Sequence, residues 1–144
     1  MGIKVARLSY DTTETLIYDP VAANRTATRA ALYNLGFRRL ETVGTLDGLA
    51  ECIRRRPPDL ILCDYRLPGK ESGIDVIQRI RGEYNEEIPA ILITGDTAPE
   101  RLQEAHDSGL VVLSKPVANS KLRATIGNVT KRRPPVSPEA ADAF

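Results

Sequence analysis

The chain has 144 residues, 42% hydrophobic and 27% charged, which fits one domain with a proper hydrophobic core. Its 20 Lys plus Arg and 19 Asp plus Glu leave a net charge of +1, a balance that gives no sign of a nucleic-acid or membrane surface. The longest apolar runs are too short to span a bilayer and the N-terminus lacks a signal peptide's apolar segment, so a cytoplasmic protein is expected.

In chain order, residues Met1 to Glu14 show no clear period and read as an N-terminal extension. TLIYD, Thr15 to Asp19, reads as a first strand, and Arg25 to Leu35 as a helix with Ala27, Ala30, Ala31 and Leu35 at helical spacing and Gly36 as its stop. RRLETV, Arg38 to Val43, is a weaker second strand. A helix over Leu46 to Arg55 carries Leu49, Cys52 and Ile53; it ends in a short basic run, Arg54 to Arg56, that reads like Lys131 to Arg133 as a solvated helix end. DLILCD, Asp59 to Asp64, is a third strand, nearly continuous in apolar residues as for a strand covered on both faces. Ile74 to Ile80 offers a helix with Val76 and Ile77, and AILITG, Ala90 to Gly95, a fourth strand. Pro99 to Asp107 reads as a helix holding Leu102 and Ala105, with Pro99 acceptable in its first turn. LVVLS, Leu110 to Ser114, is the fifth strand, and Asn119 to Val129 the last helix, with Leu122, Ile126 and Val129 on one face. The Pro- and Ala-rich end of the chain reads as a flexible tail over 131–144, leaving 15–130 as the folded domain. Cys52 and Cys63 have neither metal-ligand nor disulfide spacing and are expected to pack as small hydrophobes.

Five alternations of strand and helix argue for an open, parallel, doubly wound α/β sheet of five strands, because parallel neighbours need crossover connections. In such sheets the ligand site lies beyond the carboxyl ends of the strands. Asp19, Asp64, Thr94 and Lys115 all fall at such ends. Each alone is an ordinary turn, cap or loop residue. Together they suit one chemistry: carboxylate oxygens for a hard cation such as Mg²⁺, an ammonium and a hydroxyl for phosphoryl oxygens, and a carboxylate able to become an aspartyl phosphate.

The same residues give the chain a resemblance, over roughly Thr15 to Val129, to the receiver domain of two-component response regulators. Asp64-Tyr65-Arg66-Leu67-Pro68-Gly69 matches an Asp that ends the third strand and is followed by Pro four residues on. Gly73 fits the opening of the third helix, Thr94 lies at close to the family's spacing beyond Asp64 with the small Gly95 beside it, and Lys115-Pro116 looks like the family's Lys-Pro pair. The resemblance implies a flavodoxin-like fold of five strands and five helices. It implies that a histidine kinase or phosphotransfer protein passes a phosphoryl group to Asp64 in the presence of Mg²⁺, the metal being held by Asp19, Asp64 and the backbone carbonyl of Arg66. Thr94 would then turn toward the new phosphate and Lys115 pair with it. Arg66 and Asp96 would flank the route of the attacking water and tune the lifetime of the modification. Pairing of two copies through helix surfaces is left open, with no nucleic acid or membrane among the expected partners.

Two positions depart from the family pattern. Counting back from Gly36 puts Asp19 on the first of the two acids that normally follow the first strand, and Pro20 where the second should be, so weak Mg²⁺ binding is expected. Three residues before Lys115, where the family usually has Tyr or Phe, stands Val112, as in receivers attached to hybrid histidine kinases. No DNA-binding segment is read beyond the fold, so a single-domain regulator is expected rather than a transcription factor. The alternative is a receiver-like interaction module that works without phosphorylation, which Pro20 favours. A phosphohydrolase of the haloacid dehalogenase class would need a second Asp where Arg66 stands, and a nucleotide-binding enzyme would need a Gly-rich loop after the first strand. His106, the single histidine, reads as a surface or partly buried packing residue.

Overall fold

The computed structural model describes residues 9–95 and 98–131. The strands are β1 (Glu14–Tyr18), β2 (Arg39–Val43), β3 (Leu60–Asp64), β4 (Ala90–Thr94) and β5 (Val111–Ser114). The helices are α1 (Ala22–Leu35), α2 (Leu46–Arg55), α3 (Gly73–Glu83), α4 (Pro99–Asp107) and α5 (Asn119–Lys131). All strands pair in parallel in the order β2-β1-β3-β4-β5. The chain winds outward from β1 in one direction and then, from β3, in the other; right-handed crossovers therefore place helices on both faces and open a crevice beyond the ends of β1 and β3.

Alternation along the strands feeds two cores. Leu16, Tyr18, Ile61, Cys63 and Leu92 pack with Leu49, Cys52 and Ile53 of α2, with Ile74, Ile77 and Ile80 of α3, and with Ala105 of α4. Ile17, Leu60, Leu62, Ile91, Ile93 and Leu113 pack on the other face with Leu32 of α1 and with Leu122, Ile126 and Val129 of α5. Each such fully buried aliphatic contributes roughly 1.5–3 kcal/mol, which is what fixes the sheet's register. β3 and β4 are buried along their whole length, whereas β2, at the sheet edge, alternates between exposed and covered. That accounts for the weakness of β2's apolar signal.

Helix ends follow local chemistry. The Thr45 hydroxyl accepts the Gly48 N–H at the start of α2, and Ser72 and Asp75 form a reciprocal capping box at the start of α3. α1 ends at Gly36, whose φ of 117° is a left-handed geometry that glycine adopts without strain. The observed α2 and α4 have the expected bounds, while α1 starts earlier, at Ala22, and α3 runs on to Glu83. Within the expected N-terminal extension, Tyr10 belongs to a 3₁₀ turn (Tyr10–Thr12) and stacks on the fully buried Phe37 at 4.3 Å. The expected tail lies outside the described residues beyond Lys131. Both cysteines are free and buried, and His106 is exposed. Among the described residues, no helix is long and apolar enough to cross a membrane.

Candidate functional site

Two buried acids meet one ammonium at the crevice. Asp19, one residue past β1, and Asp64, the last residue of β3, are 4% and 8% exposed. Lys115, just after β5, places its Nζ 3.1 Å from Asp19 Oδ2 and 3.1 Å from Asp64 Oδ1. Burying a carboxylate is costly unless it is paired, and here one cation serves two anions. The imbalance is visible in the protonation of Asp64 and Lys115. Burial pushes the Asp64 carboxyl above the usual carboxylate range; the Lys115 hydrogen bond pulls it back and the neighbouring Asp19 charge pushes it up again. Desolvation lowers the Lys115 pKa, but hydrogen bonds and charge from Asp64 and Asp19 outweigh it and leave the ammonium more firmly protonated.

Backbone bonds hold these groups in place. The Asp19 N–H donates to Val43 O at 3.1 Å, its Oδ1 accepts the Val21 N–H at 2.9 Å, and Arg25 Nη1 reaches back to its carbonyl at 2.7 Å. The Lys115 N–H donates to Thr94 O at 2.8 Å, and the Lys115–Pro116 peptide bond is cis. Beyond Asp64, Tyr65 N–H donates to Ile93 O and Tyr65 O accepts the Gly73 N–H. Gly73 lies so close under this loop that a Cβ there would come within 2.4 Å of Asp64 O and 2.8 Å of Leu92 Cδ2. Gly73→Ala should therefore destabilise the fold by about 2 kcal/mol, overpacking outweighing the gain in helix propensity. A urea denaturation curve checks this: the midpoint falls with an unchanged slope.

The structure brings Asp19, Asp64 and Lys115 together. Thr94 is buried at the end of β4, one residue past Ile93, the partner of Asp64 in the sheet register. Arg66 is exposed, two residues beyond Asp64, and Asp96 lies outside the described residues. Val112 is half-buried, against the core on the α2–α4 face. Among the described residues no three His, Cys, Asp or Glu side chains cluster as a metal cage. Two carboxylates still suit Mg²⁺, a hard cation that is commonly held by one or two carboxylates and completes its shell with water and phosphate oxygens.

Sequence reasoning missed Arg25 and a contact beside the site, in which the Tyr65 hydroxyl lies 2.5 Å from Glu104 Oε1 on α4. Neither could be read from spacing. Tyr65 and Glu104 are 39 residues apart and meet only once the sheet order is known.

Residues 15–127 match the model of the response regulator receiver domain. The chain is 35% identical over 115 residues to the regulatory protein LuxO of Vibrio cholerae, covering 74% of this chain and 24% of that protein. It is 29% identical to a probable chemotaxis protein CheY of Rhizobium etli, covering 77% of this chain and 87% of that one. The chain spans about a quarter of the length of the first curated relatives it matches. Among solved structures, the receiver domain of the PhyR response regulator of Erythrobacter litoralis superposes with a TM-score of 0.71 at 27% identity, covering 88% of this chain and 95% of that one. Because residues 15–127 match that family model and fold as one parallel five-stranded sheet with helices on both faces, the chain belongs to the response regulator receiver family of two-component systems.

Proposed function

We propose that this receiver takes a phosphoryl group on Asp64 from the phosphohistidine of a histidine kinase or phosphotransfer protein. The observation that carries the reading is the pair of buried carboxylates, Asp19 and Asp64, sharing the single ammonium of Lys115. An Asp64 carboxylate oxygen attacks phosphorus, the P–N bond of the donor breaks, and the imidazole leaves with the electron pair and takes up a proton. Lys115 then transfers its pairing to a phosphoryl oxygen, and Thr94 offers its hydroxyl as a donor. Asp19, Asp64 and the Arg66 carbonyl would hold Mg²⁺. The bound cation would neutralise charge on the phosphoryl oxygens.

The transfer needs a donor surface laid over the crevice. A groove of about 270 Å³ opens beside Lys115, lined by Ala27, Ala31, Pro116, Val117 and Leu122. Its apolar walls next to the acceptor suit a helix of the phosphodonor that carries the phosphohistidine to Asp64. A cytoplasmic location belongs to the same reading.

The test is intact-mass spectrometry after incubation with acetyl phosphate. One phosphoryl group should be gained with Mg²⁺ present and none with EDTA. An unmodified mass at high Mg²⁺ overturns the reading in favour of a module that docks without phosphorylation. Restoring the second acid, Pro20→Asp, should lower the Mg²⁺ concentration for half-maximal phosphorylation roughly tenfold, because a further carboxylate adds an oxygen ligand and a negative charge for the cation. A Mg²⁺ titration of the initial rate measures it.

A further inference from the structure

β5 (Val111–Ser114) holds no aromatic residue, so a change at Asp64 must reach the surface by another route. Tyr65 offers one. It follows Asp64 directly, and its main chain is tied on both sides, its N–H to Ile93 O at 2.9 Å and its carbonyl to the Gly73 N–H at 2.8 Å. Its ring is 5% exposed and packs in the core on the α2–α4 face. Its hydroxyl ends 2.5 Å from Glu104 Oε1, and the Arg101 guanidinium lies 5.8 Å from the ring centroid. Both partners are carried by α4. Within that helix Ala105 is the buried residue and Leu102 is exposed.

We propose that Tyr65 couples Asp64 to α4, its hydroxyl bond to Glu104 being the link that phosphorylation remakes. The proposal rests on the phosphoacceptor reading above. A phosphoryl group adds a dianion next to Tyr65; it repels the Glu104 carboxylate and attracts the Arg101 guanidinium, so the partners of the hydroxyl shift and α4 loosens. In that bond the phenol hydroxyl donates and the Glu104 carboxylate accepts. What changes outside is the face that α4 shares with β5, where Leu102, His106 and Val112 line one groove.

The test is amide hydrogen exchange of α4, read by mass spectrometry with and without acetyl phosphate and Mg²⁺, intact mass giving the phosphoryl occupancy of each sample. The chains compared are wild type, Tyr65→Phe, Glu104→Ala and the double variant. Tyr65→Phe keeps the ring and therefore the core. In unmodified wild type α4 should exchange several-fold more slowly than in either single variant, since each removes the same bond. Phosphorylation should speed α4 exchange in wild type and leave it nearly unchanged in the variants at equal occupancy, with the double variant no different from the singles. An α4 response in Tyr65→Phe equal to that of wild type overturns the coupling alone, as does a phosphorylated wild type with an unchanged α4. A wild type that gains no phosphoryl group overturns the phosphoacceptor reading and the coupling with it.

Discussion

Asp64→Asn is expected to lose all phosphoryl uptake from acetyl phosphate and Mg²⁺ while gaining stability as an unmodified protein. The first effect is chemical, because the amide has no anionic oxygen to attack phosphorus. The second is electrostatic. Asp64 is 8% exposed and shares Lys115 with Asp19, so in the described ion pairs two carboxylates stand against one ammonium. The neutral, nearly isosteric amide removes that excess and can still accept a hydrogen bond from Lys115, which should stabilise the fold by about 1 kcal/mol and raise Tm by roughly 4 °C. The pH dependence follows from the direction of the Asp64 shift. Its pKa in the folded chain lies above the unfolded value, mainly through burial, so protonation favours the fold. That favour is fully present below the unfolded carboxylate value of about 3.9 and is lost as pH rises through the folded one. The advantage of the variant should therefore be largest at neutral pH and shrink as the solution is acidified. Paired thermal melts across that range, run beside the mass measurement, check both halves. A variant less stable than wild type at pH 7 would mean that the Asp64 charge is fully compensated in the unmodified fold.

The site was legible where chemistry coincides with an element's end. Asp64 closes a strand buried along its whole length, and a carboxylate there is conspicuous against LILC. Lys115 and Thr94 could be placed in the same way, since strand ends in a parallel sheet share one rim. The helix bounds of α2 and α4 were legible because Leu49, Cys52 and Ile53 recur at helical spacing in the first and Pro99 suits the start of the second. The start of α1 was not: Ala22 and Ala23 are exposed, so no apolar period announces them, and the first turn carries neither an acid nor a side-chain cap. The last turn of α3 was missed for a similar reason, since Gly82 and Glu83 face solvent. The Tyr10–Phe37 stack and the Tyr65–Glu104 bond depend on how distant segments meet, and local propensity carries no trace of either.

Lys115→Met should cost more stability than any other single change at the crevice, about 3–5 kcal/mol at neutral pH. Methionine keeps the length and most of the apolar stem, so the loss reports the charge rather than a cavity. Two carboxylates at 4% and 8% exposure would be left facing each other without their shared cation. The expected pH response has a definite sign. Lys115 has a raised pKa in the folded chain, so its contribution in wild type is fully present below the unfolded lysine value of about 10.4 and fades only as pH rises through the folded one. In the variant Asp64 loses the Lys115 contacts that lower its pKa and gains a proton more readily than before, so the lost stability returns as pH falls toward the carboxylate range. Urea titrations at neutral and acidic pH should thus show the gap between the two proteins closing on acidification. Phosphoryl uptake should slow at least about tenfold in the same variant, because the ammonium that pairs with the phosphoryl oxygens is gone. A gap in stability that stays constant with pH would assign Lys115 a packing role; a pH-dependent gap with unchanged uptake would assign it the fold and remove it from the transfer.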